Sequence, residues 1–237
     1  MKIANHKLAP EQGDYDISFQ ETPNVSGKFD TNLPDTIVIH YTAGASAGSS
    51  VSWLTNKQAR ASSHIVIGKD GKIFQLAPFD TITWHAGRSS WKGRSSLNQY
   101  SIGIEIDNAG ILEKRGDGYY TSFNRKTADK DVVLAKHKHR SETEAWEAYT
   151  QEQIEAVESI CLVLIDQYKI KEIVGHDDIS PGRKKDPGPA FPLQKIRDKI
   201  LFGRTGEEPD DTQLIDKNLG IVTADYLNIR RNDSLQS

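Results

Sequence analysis

The sequence feature that most constrains the fold is the segment 175–189, which reads Gly-His-Asp-Asp-Ile-Ser-Pro-Gly-Arg-Lys-Lys-Asp-Pro-Gly-Pro. It follows a short apolar run, Ile173 and Val174, and its Pro and Gly residues restrict the path of the backbone. Asp186 precedes a proline and is therefore held in an extended or turn conformation rather than in a helix. We expect a fixed loop that starts at a strand end and lets the Asp186 carboxylate reach back toward His176.

A second histidine, His40, ends the apolar run Thr36-Ile37-Val38-Ile39. The carboxyl ends of strands are where α/β sheets usually place ligands, so two strand ends and one loop can converge on a single ion. Two histidines and one carboxylate are a common ligand set for a catalytic zinc, which keeps its fourth position open for water. A histidine at a strand end is more often structural, and the spacing alone leaves both roles open.

Composition excludes some classes of function. A formal net charge of -3 argues against nucleic acid as a partner, because phosphate binding needs a strong basic excess. No run approaches the roughly 20 apolar residues that span a bilayer, which predicts no membrane insertion. The N-terminus lacks the apolar core of a signal peptide, so we expect a cytoplasmic protein. A cell-envelope or secreted location is the alternative if a signal was removed or export follows another route. The single cysteine, Cys161, lies in an apolar helical pattern that indicates a buried structural thiol.

Apolar periodicity predicts an α/β fold with a mixed central β-sheet flanked by helices. The expected strands cover residues 36–40, 63–67, 72–76, 101–107 and 172–174. Three helices are expected. The first begins near Ser49 or Ser50 and ends before Ala61, the second covers Gln151–Tyr168, and the third covers about 192–202. The second of these has the strongest signal, because Thr150 and Gln153 form a capping-box pattern.

The chain divides into three expected parts. Residues 1–34 are polar and rich in turn formers, and are expected to form an irregular N-terminal lead-in. Residues 35–203 are expected to form the catalytic domain, with 112–150 as a polar insertion that runs over the surface. Residues 204–237 contain an acidic linker, followed by a strand-like stretch that resembles the opening of a bacterial SH3-like wall-binding domain. Because few residues remain, we expect this module to be truncated.

The strand-like run 101–107 alternates, so Ile102, Ile104 and Ile106 face the core while Glu105 lies on the other face. Glu105 either belongs to a solvated sheet face or points into the cleft, where it would orient or deprotonate a water molecule; the neighbouring Gly103 would then leave room for substrate. Lys184 either belongs to a solvated basic run or neutralises the oxyanion that forms when water attacks an amide carbonyl.

Several motifs occur in an order that resembles the zinc-dependent N-acetylmuramoyl-L-alanine amidases of type 2. That family also includes peptidoglycan recognition proteins and a phage lysozyme with amidase activity. The resemblance covers about 36–200 and rests on Thr36-Ile37-Val38-Ile39-His40-Tyr41-Thr42, Ser63-His64-Ile65, Trp84-His85-Ala86-Gly87, Ser101-Ile102-Gly103-Ile104-Glu105 and the segment 175–189.

The resemblance implies roles for individual residues. His40, His176 and Asp186 would bind one Zn²⁺ per chain. Glu105 would be the general base or water-orienting carboxylate, and Lys184 would stabilise the transition state. The residues expected to contact substrate are His85, Trp84, Tyr41 and Arg183. The remaining histidines are expected to be structural or outside the ligand set (His64), solvated (His137, His139) or without a role (His6).

The resemblance implies hydrolysis of the amide between N-acetylmuramic acid and L-alanine, in peptidoglycan or in muropeptides. The segment from Asp178 onward is similar to the branch that handles anhydro-muropeptides in cell-wall recycling, whereas the SH3-like stretch favours a wall-lytic enzyme; both stay open. The alternatives are a non-catalytic peptidoglycan-binding protein and a zinc peptidase that cuts within the stem peptide. The sequence predicts no oligomeric state.

Overall fold

The computed structural model describes residues 1–11 and 15–203. The helices are α1 (Ala47–Leu54), α2 (Gln151–Tyr168), α3 (His176–Ile179) and α4 (Leu193–Arg197), and α4 continues into a π-helical turn at Asp198–Phe202. Short 3-10 helices lie at Lys57–Ala59, Leu97–Gln99 and Asp129–Asp131. The strands are β1 (Lys2–Ala4), β2 (Lys7–Ala9), β3 (Ile17–Phe19), β4 (Val25–Lys28), β5 (Thr36–Tyr41), β6 (Ile65–Ile67), β7 (Ile73–Gln75), β8 (Thr81–Thr83), β9 (Ser90–Trp91), β10 (Arg94–Ser95), β11 (Ser101–Ile106), β12 (Ile111–Arg115), β13 (Gly118–Tyr120), β14 (Lys126–Thr127), β15 (Val132–Lys136), β16 (Thr143–Glu147) and β17 (Glu172–Gly175).

A six-stranded mixed sheet forms the centre of the molecule, in the order β17-β5-β11-β6-β7-β3. Strands β17, β5, β11 and β6 are parallel to one another, and β7 runs antiparallel to β6. The predicted α/β class with a mixed central sheet is therefore confirmed. Since β17, β5 and β11 are adjacent and parallel, their carboxyl ends meet at one edge of the sheet.

Isoleucines of the central strands pack against helix α2 and build the main core. The α2 residues Val157, Ile160, Cys161 and Leu164 are fully buried in this core. The helix begins at Gln151 as expected, because the Thr150 side chain accepts a hydrogen bond from the Gln153 backbone and the Gln153 side chain accepts one from the Thr150 backbone. Cys161 is a buried thiol, and burial raises its pKa.

The expectation of an irregular lead-in over 1–34 is wrong for the residues that the structure describes. Four short strands, β1 to β4, lie in this part of the chain, and β3 joins the central sheet parallel to β7. The stretch anchors itself by backbone hydrogen bonds to the domain: the Leu8 backbone N–H donates to Gln75 Oε1, and the Gln20 backbone N–H donates to the Gln75 carbonyl. Strands of three or four residues carry too little periodicity to be read from a polar sequence.

The polar insertion 112–150 forms a sheet of its own. Strands β14, β13, β12, β16 and β15 form an antiparallel sheet in that order. Its anchor is Trp146, which is 1% exposed and donates from Nε1 to the Ala135 carbonyl at 3.2 Å. The expectation of solvated histidines is also wrong for His137, which is buried, stacks on Trp146 with ring centroids 5.7 Å apart, and contacts Asp177. The Asp177 carboxylate gives the buried His137 ring a hydrogen-bond partner. Asp177 is 40 residues away in the sequence, so no local pattern predicts this contact.

Other expected boundaries differ slightly. Helix α1 begins two or three residues earlier than expected, because Ser46 caps it, and it ends at Leu54. The described residues contain no helix with the length and apolar character needed to cross a membrane. The acidic linker and the SH3-like stretch lie outside the described residues.

Candidate active site

Strand register brings the predicted residues to one edge of the sheet. His40 on β5 is the register partner of Glu105 on β11, in a parallel ladder. On the other side of β5, Ile39 pairs with Gly175, so His176 leaves β17 level with His40. The loop after α3 then returns to this edge, because the Asp177 backbone N–H donates to the Asp186 carbonyl at 2.8 Å. The sheet therefore sets the spacing of two histidines and two carboxylates.

His40, His176 and Asp186 are all buried and present one ligand atom each to a common point. His40 Nδ1 lies 2.8 Å from His176 Nδ1, and these two atoms lie 3.0 and 2.9 Å from Asp186 Oδ2. Ligand atoms of a tetrahedral zinc with bonds near 2.0 Å lie about 3.3 Å apart, so the three atoms need to separate only slightly to hold such an ion.

The protonation of the two rings supports a cation at this point. His176 Nε2 lies 3.0 Å from the Ala86 carbonyl, which only accepts hydrogen bonds, so this nitrogen carries the proton and Nδ1 holds a lone pair. Burial, together with the facing His176, lowers the pKa of His40 to about 4, so this ring is neutral. Burial opposes ionisation of Asp186, but the facing His176 and His40 hold the pKa of that carboxyl below its usual range. Lone pairs and a carboxylate that converge in a buried place fit a divalent metal ion.

Glu105 has the protonation behaviour of a buried acid–base group. Burial raises the pKa of Glu105 well above its usual range, Asp186 adds to the rise, and Lys184 opposes it. Among the described residues its buried Oε2 has no hydrogen-bond partner. The oxygen is therefore available to a group that enters the site.

A cleft of about 370 Å³ opens above the three candidate ligands. The structure brings all of the predicted substrate residues to it, along with Glu105 and Lys184, and its walls are formed by Tyr41, Thr42, Ala43, Leu54, Ala61, Ser62, Trp84, His85, Glu105, His176, Arg183, Lys184, Lys185 and Asp186. Arg183, Lys184 and Lys185 place three consecutive basic residues in the lining of this cleft. The cleft is therefore cationic along one wall and acidic at Glu105.

Three of the predicted substrate residues have internal partners, and one of them is Trp84, whose Nε1 donates to Ser26 Oγ at 2.6 Å. Arg183 Nη2 donates to the carbonyls of Ala86 and Arg88, at 3.0 and 2.7 Å, and thereby joins residues 86–88 to the loop that carries Asp186. His85 is 8% exposed, and both of its ring nitrogens contact protein atoms. The space beside Gly103, expected to admit substrate, is filled by His85: a Cβ at Gly103 would lie 2.5 Å from His85 Cγ.

Sequence reasoning misses three hydrogen-bond acceptors near the site. The backbone carbonyls of Ala86 and Ser101 accept hydrogen bonds from imidazoles, and the Asn98 side chain accepts from two consecutive backbone N–H groups. Backbone acceptors have no residue type to recognise, and only the fold brings them to the histidines. His64 is structural, as expected: it is fully buried, and Nε2 lies 2.8 Å from the Thr81 carbonyl.

Comparisons with known proteins point to one family. The family model described as N-acetylmuramoyl-L-alanine amidase matches residues 30–189. The chain is 36% identical over 199 residues to N-acetylmuramoyl-L-alanine amidase AmiD of Escherichia coli K12, over 74% of this chain and 61% of AmiD. It is 34% identical over 140 residues to 1,6-anhydro-N-acetylmuramyl-L-alanine amidase AmpD of the same strain, over 58% of this chain and 57% of AmpD. The chain thus spans about three fifths of these relatives' lengths.

A solved structure of E. coli AmiD with the substrate anhydro-N-acetylmuramic acid-L-Ala-D-gamma-Glu-L-Lys has the same fold. Its TM-score is 0.54 at 30% identity, over 81% of this chain and 60% of that one. The family model covers more than half of the chain, including His40, Glu105, His176 and Asp186. The chain therefore belongs to the type 2 family of N-acetylmuramoyl-L-alanine amidases.

Proposed function

We propose that the chain hydrolyses the amide between the lactyl group of N-acetylmuramic acid and L-alanine, with one Zn²⁺ held by His40, His176 and Asp186. The observation that carries the proposal is the convergence of His40 Nδ1, His176 Nδ1 and Asp186 Oδ2 within 3.0 Å of one another, beside an unpartnered Glu105 carboxylate oxygen. When bound there, zinc supplies Lewis acidity toward the substrate carbonyl.

Glu105 is proposed to act as the general base. Its raised pKa gives the carboxylate a greater affinity for a proton than an exposed glutamate has, so it can take one from the attacking water. The same carboxyl then returns the proton to the leaving amine of L-alanine. Its position beside His40 in the ladder keeps it near the carbonyl that the metal would polarise.

Lys184 is proposed to stabilise the tetrahedral oxyanion. It lies on the cleft wall two residues from Asp186, and its charge acts on both Glu105 and His40. A positive charge in a partly desolvated cleft stabilises negative charge that develops in the transition state. Tyr41, Trp84 and the neighbouring Lys185 line the rest of the cleft and are proposed to contact the substrate.

Anhydro-muropeptide is the substrate that we favour over polymeric peptidoglycan. AmpD is named for the 1,6-anhydro form, and AmiD has been solved with an anhydro-muramic acid tripeptide. We propose that 35–203 forms the catalytic domain, with a wall-binding role for 204–237 as the competing idea. The cellular location follows from the substrate: soluble anhydro-muropeptides favour the cytoplasm, and polymer favours the envelope.

The deciding experiment is mass spectrometry of products after incubation of the zinc-loaded full chain with anhydro-muropeptides and, separately, with intact peptidoglycan. The expected product is a free stem peptide that begins with L-alanine, released faster from the anhydro-muropeptide. The controls are the metal-free chain and the Glu105→Gln variant. Cleavage within the stem peptide would identify a peptidase, and binding without products would identify a recognition protein; each result contradicts the proposal.

A further inference from the structure

His85 lies directly beneath the candidate ligand His40. His40 Nε2 is 3.0 Å from His85 Nδ1, and the two rings meet edge to face at 84°. On its other side, His85 Nε2 lies 3.2 Å from the Ser101 carbonyl. His40, His85 and the Ser101 carbonyl form one chain of hydrogen bonds. It starts at a candidate metal ligand and ends on the backbone of β11.

The direction of this chain is fixed by its last member. The Ser101 carbonyl only accepts, so His85 Nε2 carries the proton and His85 Nδ1 holds a lone pair. His40 Nε2 must then donate to that lone pair, which leaves His40 Nδ1 unprotonated where it faces His176 and Asp186. The hydrogen-bond partners of the two His85 ring nitrogens are His40, the Ser101 carbonyl and the Ser101 hydroxyl. None of these is a carboxylate, so nothing there holds a second proton on the ring.

The fold makes room for this ring at the expense of a side chain on the neighbouring strand. Gly103 lies on β11, and a Cβ there would come within 2.5 to 2.9 Å of three His85 ring or Cβ atoms. Both ring nitrogens of His85 are engaged inside the protein, so neither is free to bind substrate. A substrate contact therefore does not explain the position of this residue.

The residue after His85 orients the other histidine ligand. The Ala86 carbonyl accepts from His176 Nε2 at 3.0 Å, so consecutive residues face the outer nitrogens of both ligands. Asn98 holds this pair in place, because its Oδ1 accepts from the backbone N–H groups of His85 and Ala86 at 3.1 and 2.7 Å. Partners of this kind fix the tautomer and orientation of metal-binding histidines.

We infer that His85 is a positioning residue that holds His40 in the Nδ1-unprotonated tautomer required for metal binding, rather than a substrate contact. The inference rests on the zinc site of the proposed function. It makes a distinction that a merely structural role would not make: a hydrogen-bond acceptor at the position of Nδ1 matters more than the bulk of the ring.

The test compares zinc affinity in three variants of the full chain by competition with a chromophoric chelator. His85→Asn keeps an acceptor oxygen at the position of Nδ1, His85→Gln moves the amide one methylene away, and His85→Ala removes the acceptor. We expect His85→Ala and His85→Gln to bind Zn²⁺ about 10- to 100-fold more weakly, and His85→Asn to stay within about threefold of wild type. His6→Ala, a surface histidine whose side chain is 47% exposed, is the matched control and should not change the affinity.

Two-dimensional NMR of ¹⁵N-labelled histidines in the metal-free chain gives the second readout. We expect His40 to be protonated at Nε2 in wild type and in His85→Asn, and to lose this fixed tautomer in His85→Ala. If His85→Ala does not fold, the Asn and Gln variants still decide the matter between them. Unchanged zinc affinity and an unchanged His40 tautomer in folded His85→Ala or His85→Gln would overturn the inference, and so would equal weakening in the Asn and Gln variants.

The outcome is separable from that of the proposed function. A wild-type chain that binds Zn²⁺ in a His85-dependent way but releases no stem peptide contradicts the proposed reaction and leaves the positioning role intact. A variant that keeps full zinc affinity but raises KM alone shows His85 to be a substrate contact, which contradicts the positioning role and leaves the reaction intact.

Discussion

His40 and Glu105 are register partners on the adjacent parallel strands β5 and β11, so a candidate metal ligand and the candidate general base are held at a spacing set by the sheet. Neither residue lies on a loop. Relative motion of the two would require the ladder between the strands to break, and both strands are buried along most of their length. The arrangement of these two residues is therefore preorganised, and neither has to move when a substrate enters.

The role of Glu105 is tested by Glu105→Gln, which keeps the shape of the side chain and removes its basicity. We expect kcat to fall about 10²- to 10⁴-fold, because general base catalysis contributes on that order, with zinc content unchanged. The measurement is stem-peptide release alongside metal analysis. Glu113→Gln on β12, whose side chain is 65% exposed, is the matched control. Full turnover by Glu105→Gln would remove Glu105 from the mechanism.

The ligand set is tested by Asp186→Asn and His40→Ala. Loss of one of three protein ligands should weaken Zn²⁺ binding by more than about 100-fold, the upper range for loss of an outer partner, and abolish turnover. Metal content after dialysis and chelator competition give the result. The exposed Asp129 supplies the control substitution Asp129→Asn. Retention of one zinc per chain by both ligand variants would place the metal elsewhere.

The adjacent lysines of the cleft wall allow a matched comparison. Lys184→Met should lower kcat about 10²- to 10³-fold with little change in KM, because its charge is proposed to act in the transition state. Lys185→Met lines the same cleft and should change KM more than kcat. Steady-state kinetics on anhydro-muropeptide measure both values. Equal effects of the two substitutions would show general electrostatic attraction rather than a catalytic role.

Acid should destabilise the metal-free chain partly through His64. Burial lowers the pKa of His64 from 6.5 to about 4, so between these values the unfolded chain binds more protons than the folded one. The contribution of neutral His64 to the free energy of unfolding is therefore complete above pH 6.5 and is lost as the pH falls toward 4. From pH 7 to pH 5 we expect a loss of about 2 kcal/mol in the free energy of unfolding.

Urea unfolding of wild type and His64→Gln at both pH values, with a chelator present, isolates this effect. The difference between pH 7 and pH 5 should shrink by about 2 kcal/mol in the variant. An unchanged difference in His64→Gln would mean that His64 titrates alike in the folded and unfolded chains.

We expect the contact between the insertion 112–150 and helix α3 to contribute to stability. His137 Nε2 lies 2.9 Å from Asp177 Oδ2, and both side chains are buried. His137→Ala should lower the free energy of unfolding by about 1 to 3 kcal/mol, since Asp177 would lose a partner inside the protein. His139→Ala, at an exposed position of the same loop, should cost less. Denaturant unfolding of the metal-free variants measures the difference, and equal costs would contradict the importance of the buried pair.

The sequence predicts the parts of the site that depend on strand ends and misses those that depend on backbone acceptors. Long apolar runs such as 36–40 locate the strands, and two runs that end in histidines indicate convergence. The expected role of His85 differs from its contacts, because the Ser101 carbonyl and the space above Gly103 become visible only when strands pair. The insertion sheet was missed for a related reason: its short, polar strands are stabilised by pairing with one another and by the distant Asp177.

The parallel arrangement of β17, β5 and β11 also has a consequence for biosynthesis. His40 and Asp186 are separated by 146 positions in the chain, yet their side chains must meet. Because domains fold as units during synthesis, the pocket for the ion is incomplete until the ribosome has released the last of these residues. Nascent chains that stop short of Asp186 would carry two of the three ligands at most. A metal ion held by all three residues would therefore load only after Asp186 has left the ribosome.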